Sequence, residues 1–265
     1  MLTNTRSDRV TAVRALSRRA VRSRQGLFLA EGPQSVREAV CHRPDLVHEL
    51  YVTAQARTRH TDVVAAATHA GLAVQEASHE VLAAMCDTEA PQGLLAVCRV
   101  LTSSLQDVLR TGPRLLCVLT NVRDPGNAGT VLRGADAAGA DAVVLSENSV
   151  DVFAPKVVRS TAGSLFHLPV VTGVPIDDIV RQVRGAGLAL LAADGAGKHL
   201  LGDVDLVRPH AWVMGNEAWG LDDAVVAQCD DVVRVPVYGR AESLNLAMAA
   251  TVCLYASATA QRRPQ

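Results

Sequence analysis

Aromatic side chains are scarce in this chain: two Trp, three Tyr and three Phe among 265 residues. That shortage argues against an aromatic-lined pocket, although hydrophobic residues reach 49% and supply a sizeable core, much of it Ala and Val. Net charge is close to zero, at −1, so no global field draws the protein to nucleic acid or to a membrane. The six cysteines (Cys41, Cys86, Cys98, Cys117, Cys229 and Cys253) form no C-x-x-C and no zinc-like pairing with His. Several lie in apolar runs such as "LLCVL" and "TVCLYA", so they read as small core hydrophobes in a reducing cytosol, and no metal is expected. No apolar h-region opens the N-terminus, and the longest apolar stretch, 246–256, is interrupted by Thr251 and too short to span a bilayer. A cytoplasmic protein without membrane contact is expected. Also missing are a G-x-G-x-x-G after a strand and an H-E-x-x-H. "DGAGKH" (194–199) lacks the first glycine and the Ser/Thr of a P-loop, and Ser243 has no nucleophile-elbow context.

What charge there is falls unevenly. Residues 1–26 carry Arg6, Arg9, Arg14, Arg18, Arg19, Arg22 and Arg24 against the single acid Asp8. Arg14, Arg18 and Arg22 recur every four residues, the spacing of one helical face. Alone, such a stripe is a solvated face or a basic arm; the sharper alternative is a local phosphate-binding patch. Strand and helix patterns alternate over 27–100, as in a small layered α/β domain, and 101–112 read as a linker, at whose end stands Thr-Gly-Pro (111–113). From 113 to 265 the alternation restarts. Continuous apolar runs at 115–119, 142–145, 188–192, 211–214 and 232–235 suit a parallel sheet covered on both faces. Helical patterns fall at 127–138, 176–186, 222–228 and 243–258.

Ligands of open α/β sheets sit beyond the carboxyl ends of the strands. Three of the expected strands lead into loops with more hydrogen-bonding side chains than a turn requires. The first, "NVRDPGNAGTVLRGADAAGA", places Asn127 as the expected N-cap of a helix whose inward stripe is Ala128, Val131, Leu132, Ala135 and Gly139. Gly129 and Arg133 stand on the opposite side, which would leave a dent beside a guanidinium. The second, "GNEAWGL" (215–221), sets Glu217 and Trp219 between glycines that admit close approach of a ligand. In the third, "RVPVYGRAESLNLAMAATVCLYA" (234–256), Ser243 opens a strongly apolar helix with Asn245 in its first turn. Each segment also has a plain reading, as a capped helix or a turn.

Taken together and in this order, the segments resemble the SpoU (TrmH-like) family of RNA 2′-O-ribose methyltransferases in the SPOUT superfamily. The first motif is matched by Asn121, Asp124, Asn127, Gly129, Val131 and Arg133; the second by Gly215, Asn216, Glu217 and Gly220. The third is matched by Val235, Pro236, Ser243, Leu244, Asn245 and Leu246. "PKVVRSTAGSLFHLPV" (155–170) is similar to the segment between the first two motifs. "FLAEGPQSVREAV" and "APQGLLAV" resemble a substrate-binding domain related to ribosomal protein L30e. Ala218 and Trp219, where Gly and a small or polar residue are common, depart from the pattern, as does Ala138 in place of an aromatic.

The resemblance implies an α/β fold: a C-terminal SPOUT-type parallel-sheet domain with a trefoil knot, preceded by a smaller L30e-like domain. It implies transfer of a methyl group from S-adenosylmethionine to a ribose 2′-hydroxyl, first in large-subunit ribosomal RNA, with tRNA or a non-catalytic RNA-binding role as alternatives. A small-molecule enzyme with a nucleotide cofactor would leave the arginine-rich N-terminus unexplained. The implied site residues are Arg133, Asn127, Glu217, Ser243 and Asn245. Arg133 would act on the hydroxyl as a base or as an electrostatic stabiliser of the developing alkoxide, the easier task for a cation. Asn127 would orient Arg133 or a phosphate. Gly215, Val235, Leu244 and Ala192 would hold the cofactor; Arg159, Arg18 and Arg22 would meet RNA. A homodimer with the cofactor pocket near its interface is the implied assembly.

Overall fold

The computed structural model describes residues 1–262, which form two compact units. The first comprises Met1–Leu101 together with Asp151–His167; the second comprises Thr102–Val150 and the chain from Leu168 onward.

In the first unit the N-terminal residues are not an arm. Helix α1 (Asp8–Ala15), capped by the Ser7 hydroxyl, buries Val10 and Val13, and Leu16 follows them into the core. Helix α2 (Arg19–Gln25) stops at Gly26 in the left-handed conformation. Then come β1 (Leu27–Glu31), α3 (Gly32–His42), β2 (Val47–Val52), α4 (Ala54–Arg59), α5 (Thr61–His69), β3 (Val74–Glu76), α6 (His79–Met85) and β4 (Leu94–Arg99). The sheet order is β1-β4-β2-β3, antiparallel except for the β2/β3 pair. Val10, Val13 and Leu16 pack with Val81, Leu82 and Met85 of α6 and with Tyr51 of β2. This burial is what turns the arginine-rich start into fixed helices.

The expected face of Arg14, Arg18 and Arg22 does not form, because the helix breaks between Ala15 and Arg19. Arg22 points inward and is only 4% exposed. Its guanidinium donates to the Leu16 and Ser17 carbonyls at 2.9 and 2.7 Å and pairs with Asp151 at 2.5 Å. Asp151 belongs to a segment, 151–167, that lies inside the span expected for the second domain yet folds with the first unit. The three phenylalanines explain why: Phe153 and Phe166 from that segment lie 5.0 and 6.1 Å from the ring of Phe28 on β1. His42 and His167, distant in sequence, also meet there, each with Nε2 within 3.2 Å of the same Glu38 carboxylate oxygen.

The second unit is built on helix α7 (Leu105–Arg110), β5 (Leu115–Leu119), α8 (Pro125–Ala138) and β6 (Ala142–Ser146). After α9 (Pro155–Ser160), which belongs to the first unit, it continues through β7 (Val170–Val174), α10 (Ile176–Gly185), β8 (Ala189–Ala193), β9 (His199–Leu200), β10 (His210–Met214), α11 (Asp223–Val226), β11 (Asp231–Arg234) and α12 (Leu246–Arg262). All seven strands are parallel, in the order β7-β6-β5-β10-β8-β11-β9. Strands β7 and β9 stand at the edges and were not expected; Gly173 interrupts the one, and the other has only two residues. The central strands β5, β6 and β10 are wholly buried, as their unbroken apolar runs require. The last three residues of the expected second domain, 263–265, lie outside the described residues. Among the described residues no helix is long and apolar enough to cross a membrane.

Helices α8 and α12 pack closely on this sheet. Gly134 permits the approach, since a Cβ there would stand 2.7 Å from Thr251 Oγ1. Of the cysteines, Cys98, Cys117 and Cys253 are buried, each with its thiol pushed up to about 12 by burial, whereas Cys41 is exposed and not a core residue. One buried polar cluster stands out in this unit. The Ser257 hydroxyl of α12 accepts the Trp212 indole N–H at 2.8 Å and lies 2.7 Å from His210 Nε2. His210 Nδ1 lies 2.8 Å from the Arg208 carbonyl, and burial holds the imidazole below its usual range. The folded state therefore keeps His210 neutral while the unfolded chain takes up a proton near 6.5. Its contribution to stability is complete above that value and is lost as pH falls through the lower, folded one. Ser257→Ala leaves the indole N–H without an acceptor, so urea unfolding at neutral pH is expected to register a loss of about 1–3 kcal/mol. An unchanged midpoint would mean that the cluster contributes no stability.

Candidate active site

In the loop after β5, Asn121 takes the left-handed region, φ 51°, a conformation Asn tolerates better than most residues. Its N–H donates to Ser146 Oγ at 3.1 Å and its carbonyl accepts from the Asn216 side chain at 2.7 Å, tying this loop to the one after β10. Helix α8 starts two residues earlier than expected. Asp124, not Asn127, is the N-cap: its carboxylate accepts the Asn127 N–H at 2.7 Å, and Pro125 occupies the first helical position. The Asn127 side chain is thereby freed for other work.

That work is to join the other two motif loops. Asn127 Nδ2 donates to Glu217 Oε1 at 3.3 Å, and Asn127 Oδ1 accepts from Asn245 Nδ2 at 2.9 Å. Glu217 also accepts the main-chain N–H groups of Arg123 and Asp124, at 3.3 and 3.1 Å. A carboxylate thus sits against the amides that lead into a helix, where the helix dipole favours negative charge. Asn245 is the cap of α12, which begins at Leu246 rather than at 243: its Oδ1 accepts from the N–H of Ala247 at 2.9 Å. Ser243 precedes the helix in the exposed loop.

The loop after β10 is a closed turn. Asn216 and Gly220 exchange main-chain hydrogen bonds at 2.8 and 2.9 Å, and Asn216 Oδ1 accepts from the Ala218 N–H at 2.8 Å. Gly215 and Gly220 make the turn possible. A Cβ on Gly215 would stand 2.3 Å from the Gly220 carbonyl carbon, and Gly220 has φ 73°.

A cavity of about 430 Å³ opens beside this turn, past the C-terminal ends of β8 and β10. Gly215, Glu217, Val235, Ser243 and Leu244 line it. Ala192 does not. It is fully buried in β8, which runs one residue further than expected, so Ala193, Asp194 and Gly195 form that wall. Apolar Met214, Val233 and Leu246 complement the carboxylates of Asp194, Glu217 and Glu242. Such walls suit a nucleoside carrying positive charge, and S-adenosylmethionine has both a sulfonium and an ammonium group; the volume falls in the range of small-ligand sites.

Arg133 is not among the residues that line the cavity. Arg133 on α8 is exposed, and its guanidinium makes no hydrogen bond or ion pair among the described residues. Asn127 therefore does not orient it. The dent expected beside it is also absent from the surface, because Gly129 is buried, while Gly139 leaves the inward stripe as the exposed left-handed C-cap. Arg159, in the first unit, is committed to Glu31 at 2.7 Å and Asp87 at 3.1 Å. Arg18 is exposed, and Arg22 is sequestered as described.

If Glu217 is the tie between loops, Glu217→Ala is expected to speed hydrogen exchange at the amides of Arg123 and Asp124 by an order of magnitude or more, about the effect of losing one charge-assisted bond. Exchange unchanged at both amides would contradict the tie.

Comparison with known proteins agrees with this arrangement. Residues 114–255 match the model of the SpoU rRNA Methylase family, and residues 7–96 match an MRM3-like substrate binding domain. The 23S rRNA (guanosine(2553)-2′-O)-methyltransferase RlmP of Bacillus subtilis is 32% identical over 250 residues, 94% of this chain and 96% of that protein. An AdoMet-bound rRNA methyltransferase from Sinorhizobium meliloti superimposes with a TM-score of 0.83 at 30% identity, covering 97% of this chain and 96% of the other. The SpoU methyltransferase AviRb from Streptomyces viridochromogenes, in complex with AdoMet, gives 0.81 at 31% identity over 96% of this chain and 98% of its own. The chain belongs to the SpoU rRNA methylase family.

Proposed function

We propose that this protein transfers a methyl group from S-adenosylmethionine to a ribose 2′-hydroxyl of 23S ribosomal RNA. The observation that carries the reading is the meeting of Asn127, Glu217 and Asn245, one from each motif loop, at the edge of a cavity with acidic and apolar walls. RlmP of Bacillus subtilis and the S. viridochromogenes 23S rRNA (uridine(2479)-2′-O)-methyltransferase support the choice of 23S rRNA over tRNA.

When bound, S-adenosylmethionine supplies an electrophilic methyl group on a sulfonium sulfur. Gly215, Val235 and Leu244 would hold its adenosine against the cavity wall, and Glu217, Glu242 and Asp194 would face its positive charges. The chain's own task is to bring the hydroxyl into line and to help it lose its proton. Ser243 lines the cavity and Asn245, bonded to Asn127, follows it two positions on; both would meet the entering ribose. The Arg133 guanidinium, without a side-chain partner among the described residues, is suited to a ribose phosphate and to the alkoxide that develops as the proton leaves. The exposed Arg14, Arg18, Arg19 and Arg24 supply local phosphate contacts, with Arg22 removed from that set.

A homodimer fits the same reading. Met248, Val252 and Tyr255 form an exposed apolar stripe on α12, 62, 42 and 47% exposed, and that helix starts at the cavity wall. The deep trefoil knot of the family is part of the proposal, as is a cytoplasmic location, where ribosomes are assembled.

The test is transfer of labelled methyl to 23S rRNA, 16S rRNA and tRNA, followed by digestion to nucleosides. Label is expected in one 2′-O-methyl nucleoside from 23S rRNA alone; label in tRNA, or in a base, would overturn the reading. Arg133→Ala is expected to slow transfer by roughly 10²–10⁴-fold while calorimetry finds cofactor affinity within a factor of two. An active variant would remove Arg133 from the chemistry.

A further inference from the structure

The chain has two tryptophans, and their surroundings are opposite. Trp212 is fully buried in β10 and hydrogen-bonded to Ser257. Trp219 is 59% exposed at the tip of the closed turn after β10. Exposure there is imposed by the backbone: the Asn216–Gly220 pair closes the turn and the Asn216 side chain braces it from both ends. The indole is therefore held out on a rigid support, so little ordering is needed to use it. Arg123 stands over the ring, its guanidinium carbon 5.8 Å from the centroid. The same residue is anchored through its main-chain N–H to Glu217, two positions before Trp219. The pair is thus fixed to the carboxylate that organises the candidate active site.

We infer that Trp219, with Arg123, is a stacking platform for an unpaired nucleobase of the RNA substrate, a base flanking the methylated nucleotide. This rests on the methyltransferase reading above. A base offers a flat π-face that stacks on indole irrespective of its identity, and its phosphate offers the anion that the guanidinium lacks among the described residues. A protein partner would call for a contiguous apolar patch. Glu217 and Ala218, exposed beside Trp219 in its turn, add no large apolar side chain; of the other exposed apolar residues, Val237, Tyr238 and Leu244 belong to the loop before α12, and Met248, Val252 and Tyr255 to α12 itself. Trp219 is a positioning residue here. It sets where the RNA lies and takes no part in bond making.

Because Trp212 is enclosed, tryptophan fluorescence that acrylamide can reach reports Trp219. Titration with a short oligoadenylate is expected to quench it, while inorganic polyphosphate of matched charge leaves it unchanged. Trp219→Ala is expected to raise KM for 23S rRNA on the order of tenfold, with a much smaller change in kcat, and Trp219→Phe to recover most of the loss. Equal quenching by both polyanions, an indole that acrylamide cannot reach, or a Trp219→Ala enzyme with unaltered KM would each overturn the platform. Wild-type protein that quenches with oligoadenylate but methylates no RNA would instead overturn the methyltransferase reading, leaving base stacking in place.

Discussion

Everything at the candidate site depends on one carboxylate. Glu217 gathers the main-chain amides of Arg123 and Asp124 and the amide side chain of Asn127, so two loops that leave neighbouring strands β5 and β10 are held in one register. Asn127 passes the connection on to Asn245 and hence to the head of α12. Without that carboxylate, three sets of loop polar groups would each look for water. With it, the site is held by hydrogen bonds to the elements of the sheet, and the cavity wall is defined before a ligand arrives. Preorganisation of this kind is what lets polar groups stabilise developing charge without rearranging.

The second dependence is on small residues where backbones converge. Gly215 and Gly220 close the turn that carries Glu217, and Gly134 lets α12 lie against α8. Both helices carry site residues at or near their N-terminal ends, so the spacing between them fixes how Asn127 meets Asn245. An apolar core rich in Ala and Val is consistent with this close approach, and the few aromatic residues are placed individually. The phenylalanines bring Asp151–His167 into the first unit, and the tryptophans divide between core and surface.

How much of this was legible in the sequence varies with the range of the interaction. The buried strands of the parallel sheet were readable because burial on both faces writes an unbroken apolar run. The motifs pick out Asn127, Glu217 and Asn245, which the fold joins by hydrogen bonds, and Gly215, Val235, Ser243 and Leu244, which line the cavity. Their hydrogen-bond partners were not readable there. Asn127 resembles a cap, but the adjacent Asp124–Pro125 pair takes the helix start, which leaves Asn127 for long-range bonds. Arg22 resembles a surface cation because its partner Asp151 lies 129 positions away. Ala192 missed the cavity by one residue, the usual uncertainty at a strand end. Trp219 registered as a member of the second loop and as a departure from the family pattern; its exposure and the cation above it required the fold.

The central claim is that Glu217, Asn127 and Asn245 act as one unit. A double-mutant cycle on single-turnover methyl transfer, using Glu217→Gln, Asn245→Ala and the pair, tests it most directly. The two side chains share no direct bond and communicate through Asn127. The account predicts strong non-additivity, the double variant being little worse than the weaker single one. Effects that simply multiply would mean that each side chain serves the reaction alone, and would contradict the claim.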